Sequence, residues 1–169
     1  MGGTPVPAPP AGQHAPHGGS TGQRPVIRVL LAEDVAVVRD TLAALLGLEP
    51  DIEVTAALAS GDQVVPAALA QRPDVALLDI GLPGTSGLTA AAELARGLPA
   101  CKVLILTGLQ APGNLDAALR AGARGFLLKD IPSEDLVAAV RAVARGEQVI
   151  DPRLADALPD PGQGPGQAR

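Results

Sequence analysis

Aromatic residues are almost absent from this chain: Phe126 is the only one, and there is no Trp or Tyr. A core built without rings must be filled by Ala, Leu and Val. At 47% hydrophobic content the 169 residues can bury one ordinary core of α/β or helical type. Cysteine is equally scarce. The single Cys101 excludes an internal disulfide framework and a cysteine-rich zinc site, and it reads as an ordinary buried thiol. Positive charge is in deficit, with 13 Lys and Arg against 18 Asp and Glu, so the net charge of −5 offers no basic field with which to grip a nucleic-acid backbone. No apolar run approaches the ~20 residues of a membrane-spanning helix, and the N-terminus lacks the apolar stretch of a signal peptide. A soluble, cytoplasmic chain with no membrane partner is expected. Between residues 26 and 148 there is also no His, no Gly-rich P-loop and no Ser-His-Asp arrangement, so P-loop nucleotide-binding and triad-hydrolase readings lack their parts.

The two ends differ from the middle. Residues 1–25 are Gly, Pro, Ala, Ser and Thr with hardly a large apolar side chain, a composition that cannot offset its ordering entropy, so this tail is expected to be disordered. His14 and His17 lie there without acidic or thiol partners and read as solvated rather than metal-binding. Residues 149–169 read as a linker, most plainly from Pro159 to Arg169. A chain that stops inside a linker is expected to have been cut from something longer. Residues 26–148 remain as one domain.

Within that domain strand-like and helical patterns alternate. The most informative stretch is Val75-Ala76-Leu77-Leu78-Asp79, followed by Ile80-Gly81-Leu82-Pro83-Gly84. A short apolar run bounded by Pro73 and by a turn reads as a strand buried on both faces, with Asp79 at its carboxyl end. Val26 to Ala32, Ile52 to Leu58, Lys102 to Leu106 and Gly125 to Leu128 are the other strand candidates. Helical spacing follows each strand, over Val35 to Leu46, about Asp62 to Ala70, Ser86 to Arg96, about Asn114 to Ala121, and Pro132 to Arg145. This alternation predicts a doubly wound α/β fold, a five-stranded parallel sheet with five helices on its two faces and right-handed crossovers.

In such a fold ligands bind outside the carboxyl ends of the strands, and polar residues gather there. The first strand ends in Glu33-Asp34, the third in Asp79, the fourth in Thr107-Gly108 and the fifth in Lys129-Asp130. Three carboxylates in one crevice repel unless a cation joins them, and an all-oxygen set with no His or Cys nearby selects a hard ion such as Mg²⁺. A hydroxyl and an ammonium at neighbouring strand ends suit the oxygens of a phosphoryl group. Each residue alone has a plainer reading, as a helix cap, a solvated charge or a turn aspartate. Four of them at the matching ends of four strands are much harder to dismiss.

From Val26 to Arg145 the chain resembles the CheY-like receiver domain of two-component response regulators. The resemblance rests on Glu33-Asp34, on Asp79 with Pro83 and Gly87 in the following loop, on Thr107-Gly108, and on Phe126-Leu127-Leu128-Lys129-Asp130. Ala121 to Asp130 is most similar to the subgroup with a LuxR/NarL-type helix-turn-helix output domain. The resemblance implies a flavodoxin-like strand order, 2-1-3-4-5. It implies Asp79 as phosphoacceptor, with Thr107 and Lys129 taking phosphoryl oxygens and Gly108 leaving room for the incoming group. Glu33, Asp34, Asp79 and the carbonyl of Gly81 would hold Mg²⁺, Glu33 through a water. Glu33 stands where the family commonly has aspartate, a longer ligand that should still allow metal binding. Thr107 and Phe126 would form the switch, although Phe126 also reads as an ordinary core residue. The positions that would hold a hydrolytic water are Gly81 and Leu109; neither side chain can hydrogen-bond, which predicts a long-lived phosphorylated state.

By the same resemblance the partner is a sensor histidine kinase, phosphorylation promotes a homodimer through a surface containing the fourth or fifth helix, and DNA is reached only through an output domain outside this chain. The chain would catalyse its own Mg²⁺-dependent phosphorylation without being a turnover enzyme. Two other readings compete. One is a stand-alone receiver that acts through protein contacts or as a phosphorelay shuttle. The other is a magnesium-dependent phosphatase with an aspartate nucleophile, which needs a second aspartate two residues later, where Gly81 stands.

Overall fold

The computed structural model describes residue 3, residues 25–108 and residues 113–155. The expectations for His14, His17, Leu109 and the stretch from Pro159 to Arg169 lie outside the described residues, as does the expected disorder of the N-terminal tail apart from residues 3 and 25.

Six parallel strands form one sheet in the order β2-β1-β3-β4-β5-β6. They are β1 (Ile27–Ala32), β2 (Ile52–Leu58), β3 (Val75–Asp79), β4 (Lys102–Thr107), β5 (Gly125–Leu128) and β6 (Val149–Ile150). The helices between and after them are α1 (Ala36–Gly47), α2 (Val64–Gln71), α3 (Gly87–Gly97), α4 (Asn114–Arg120), α5 (Ser133–Ala144) and α6 (Pro152–Ala155). The first five strands therefore have the expected 2-1-3-4-5 order.

Continuous apolar runs become strands here because both faces of the sheet are covered. Every residue of β3 and β5 is buried. Alternate residues feed two cores. Leu30, Ala76, Leu78 and Ile105 face one cluster with Ala90, Leu94 and Ala118, while Val29, Val75, Leu77 and Leu104 face another with Leu46, Val137 and Val140. Small Ala side chains let the helices approach closely, which is how a chain with one ring fills its interior. Cys101 is 3% exposed, and burial pushes its thiol up to about 12, in keeping with an inert structural role.

Local sequence sets the helix starts. The Ser86 side chain accepts a hydrogen bond from the Thr89 N–H at 3.2 Å and caps α3. Pro132 directly precedes α5, whose first turn carries Glu134 and Asp135 against the helix dipole. The second helix is shorter than expected, because Gly61–Gln63 forms a separate tight 3-10 turn before α2.

The far edge departs from the sequence expectation. Residues 149–155, read above as linker, form β6 and α6. Val149 and Ile150 are half-buried along the outer side of β5, and they pair with Gly125 and Phe126. They cover an edge that would otherwise expose unpaired backbone groups. A two-residue strand has too short a pattern to register as one.

Candidate functional site

The register brings the ends of four strands to one rim: Ala32 pairs with Leu78, Asp79 with Leu106, and Thr107 with Leu128. The strand order reverses between β1 and β3, so the residues just past these ends share the crevice where doubly wound folds bind ligands. The loop after β3 is held tightly against its neighbours. The Gly87 N–H donates to the Ile80 carbonyl at 3.0 Å, and the Gly61 N–H donates to the Pro83 carbonyl at 3.0 Å. A Cβ at Gly87 would lie 2.1 Å from the Asp79 carbonyl oxygen, and one at Gly61 would lie 1.5 Å from that of Thr85. Only glycine lets these backbones approach, and the result is a fixed path for the chain after Asp79.

Into this crevice project the charges predicted from sequence. Glu33 is 1% exposed and Asp79 8%, while Asp34 is exposed. One carboxylate oxygen from each of the three lies within 4.8 Å of the others. The Lys129 ammonium sits between two of them, donating to Asp79 Oδ2 at 3.1 Å and approaching Glu33 Oε2 at 2.7 Å. Glu33 Oε1 accepts from the Val35 N–H at 3.2 Å. Burial pushes the Glu33 carboxyl above its usual range, against the pull of Lys129 and Val35. Burial also opposes the charge of Lys129, but its hydrogen bonds to Glu33 and Asp79 outweigh that effect and raise its pKa.

The remaining predicted residues lie alongside. Thr107 is fully buried at the end of β4. A Cβ at Gly81 would stand 4.0 Å from Asp79 Oδ2, and one at Gly108 would stand 3.8 Å from Lys129 Cδ, so both glycines border the site. Phe126 is 1% exposed and packs within the cluster of Ile105, Ala118 and Ala123, so its ring is turned inward. All-oxygen donors gathered so closely fit a hard divalent cation such as Mg²⁺.

Three contributors were missed from sequence. Arg39 of α1 donates to the Glu33 carbonyl at 2.8 Å and approaches that of Asp34 at 3.4 Å, fixing the turn that carries both acids. Its place, a turn and a half beyond the acidic pair on a helix, is the signal that could have found it. Asp151 and Arg153, in the supposed linker, contact Leu128 and Asp130 on either side of Lys129, and no local pattern marks them.

A carboxylate and a lysine beside an acidic pair at the switch point of a doubly wound sheet, with a threonine ending the neighbouring strand, are the arrangement of a receiver domain. Residues 29–141 match the response regulator receiver domain family, and the chain belongs to it. It is 40% identical over 133 residues to the transcriptional regulatory protein DesR of Bacillus subtilis, covering 79% of this chain and 66% of that protein. It is 38% identical over 133 residues to the oxygen regulatory protein NreC of Staphylococcus epidermidis, covering 78% and 61%. The chain thus spans less than two thirds of the length of these curated relatives. Among solved structures it is similar to the signal receiver domain of NarL from Mycobacterium tuberculosis, with TM-score 0.71, 31% identity, and coverage of 73% of this chain and 100% of that one. A LuxR-family DNA-binding response regulator from Staphylococcus aureus gives TM-score 0.68, 28% identity, and coverage of 70% and 99%. Among the described residues no helix is long and apolar enough to cross a membrane.

Proposed function

We propose that this chain receives a phosphoryl group on Asp79 from a sensor histidine kinase and relays its arrival to a helix-turn-helix output domain that binds DNA. The observation that carries the reading is Lys129 Nζ at 3.1 Å from Asp79 Oδ2, inside a cluster with Glu33 and Asp34. An Asp79 carboxylate oxygen attacks phosphorus as the bond from phosphorus to the kinase histidine nitrogen breaks. An acyl phosphate forms, and the imidazole leaves with the bond's electron pair. Lys129 and the Thr107 hydroxyl would take phosphoryl oxygens, and Lys129 would give up its contact with Asp79 to do so. Glu33, Asp34, Asp79 and the Gly81 carbonyl would hold Mg²⁺, which when bound supplies neutralising charge and in-line geometry. The chain would promote its own modification without acting as a turnover enzyme.

Thr107 and Phe126 would couple the site to a homodimer-forming surface that contains α4 or α5, through the core cluster the ring shares with Ala118 of α4. The relatives' names and greater length support a transcriptional output in the cytoplasm. The stand-alone alternative draws no support from them. Incubation with acetyl phosphate and Mg²⁺ should yield a single phosphoryl adduct by intact mass, absent from Asp79→Asn. An equal adduct on that variant would place the chemistry elsewhere.

A further inference from the structure

The segment after α5 holds a buried charge that phosphoryl transfer as described above does not use. Asp151 is 1% exposed, and its contacts all run toward β5 or its own turn. Its N–H donates to the Phe126 carbonyl at 2.8 Å, continuing the ladder begun by β6. At the next rung the backbone has already turned away into α6. There the side chain takes over, and Oδ2 accepts from the Leu128 N–H at 3.1 Å. Oδ1 accepts from the Arg153 N–H and Nε, each at 3.0 Å, and Arg153 Nη2 lies 2.9 Å from Oδ2. The same guanidinium reaches past Asp151 to Asp130 Oδ1 at 2.7 Å through Nη1.

Leu128 and Asp130 flank Lys129. The N–H of the residue before the lysine is held by the Asp151 carboxylate and the side chain of the residue after it pairs with Arg153, while the Lys129 N–H is tied on the other side to the Thr107 carbonyl at 2.9 Å. A long, flexible ammonium side chain is only as well placed as the backbone that launches it, and this backbone is fixed from both edges.

We propose that Asp151 and Arg153 are positioning residues for Lys129, so that the chain leaving the domain helps hold the ammonium between Glu33 and Asp79. The proposal rests on the phosphoryl-transfer reading for its consequence, but not for its geometry. A purely structural alternative is at hand: closing the sheet edge and capping α6 would explain the same contacts. The two separate in a double-mutant cycle.

The experiment uses the full chain with Asp151→Asn, which keeps an oxygen for capping, and Arg153→Gln, whose side chain is half exposed and should leave folding intact. Two readouts are taken: the NMR signals of the Lys129 side-chain Cε and Nζ without any phosphodonor, and the rate of modification by acetyl phosphate at saturating Mg²⁺. Positioning predicts displaced Lys129 signals in both variants and a rate lowered about tenfold, within the usual range of couplings between residues in one network. It also predicts that neither change slows the reaction further once Lys129 is replaced by Ala. Unmoved Lys129 signals, or the same slowing in the Lys129→Ala background, overturn the proposal. If even the parent takes no phosphate, the functional reading fails alone, and the Lys129 spectra still decide the positioning.

Discussion

The two rims of the sheet carry similar numbers of acids and treat them differently. At the amino-terminal rim Arg141 of α5 holds Asp51 through two hydrogen bonds, at 2.8 and 2.9 Å, and reaches Glu49 at 2.9 Å. Asp74 there accepts from the Arg28 N–H at 2.8 Å. At the carboxyl-terminal rim Glu33, Asp34 and Asp79 gather within 4.8 Å of one another, and the Lys129 ammonium reaches only Glu33 and Asp79, while the nearby Arg39 is turned toward backbone carbonyls. At the first rim each acid has a hydrogen-bond donor in place. The other holds its carboxylates close together, and repulsion of this kind lowers stability while fitting the cluster to a cation. Charges matched by their own partners hold a fold together; charges gathered with fewer partners fit a bound ion.

Backbone packing repeats the contrast, and it should give the largest effect. Gly87 is wedged against the Asp79 carbonyl, whereas Gly47, at the end of α1 on the opposite rim, has nothing within 4 Å of an added Cβ. Gly87→Ala is expected to cost about 3 kcal/mol or more, because the obstruction is backbone and cannot rotate away. Gly47→Ala should be neutral, or stabilising by up to about 1 kcal/mol through the unfolded chain. Urea denaturation of both variants makes the measurement, and equal midpoints would remove the contrast.

Next in size are two of the three buried carboxylates, Asp151 and Glu33, which should respond to pH with opposite sign. The Arg153 guanidinium, with the Leu128 and Arg153 N–H groups, outweighs burial and holds Asp151 below the usual carboxylate range. A lowered folded pKa contributes stability that is present above the unfolded value and lost as pH falls through the folded one. Glu33 is raised by burial, so its contribution is fully present below the unfolded value and lost as pH rises through the folded one. Asp151→Asn should therefore flatten the loss of stability on acidification, and Glu33→Gln should steepen it. Asp151→Ala should also cost roughly 1 to 3 kcal/mol at neutral pH by stranding the Leu128 N–H. Thermal midpoints across the acid range provide the check.

Much of this was legible in the sequence because it is local. Strands buried on both faces announce themselves as apolar runs, and a residue placed just past a strand end must reach the rim whatever the helices do. That is why Glu33, Asp34, Asp79, Thr107 and Lys129 could be named together. What could not be read depends on contacts between distant segments. Asp151 meets Leu128 across 23 residues, and Arg141 meets Asp51 across 90, with no spacing rule to link them. Residues 149–155 look like linker because their order comes from the edge of β5 rather than from their own pattern. The inward placement of Phe126 likewise depends on a core cluster assembled from several distant segments.

Arg141→Met offers a smaller test at the paired rim. The substitution keeps most of the stem's apolar contact and removes the charge, leaving Asp51 and Glu49 facing each other. The denaturation midpoint should fall, and added salt should recover part of the loss by screening the two acids. A midpoint that stays at the parent value in low salt would mean that this rim is not held by its ion pairs.

The smallest effect should carry the opposite sign, at Asp34. Its carboxylate is exposed and lies within 4.8 Å of two other acidic oxygens. Two like charges at such a distance repel by about 1 kcal/mol at the dielectric of water, and by more toward the interior. Asp34→Asn removes one of them and keeps the side chain's size. Without metal, the variant should be more stable than the parent by roughly 0.5 to 1 kcal/mol, an increase where nearly all other substitutions lose. Mg²⁺ should raise the parent's thermal midpoint by binding the folded state, and raise the variant's much less, because one of the oxygens it would use has lost its charge. The two measurements guard each other. A variant that gains stability but still responds fully to Mg²⁺ would show repulsion without a shared metal site. One that loses stability would mean that Asp34 is held by contacts as specific as those of Asp51, and the distinction between the two rims would then fall.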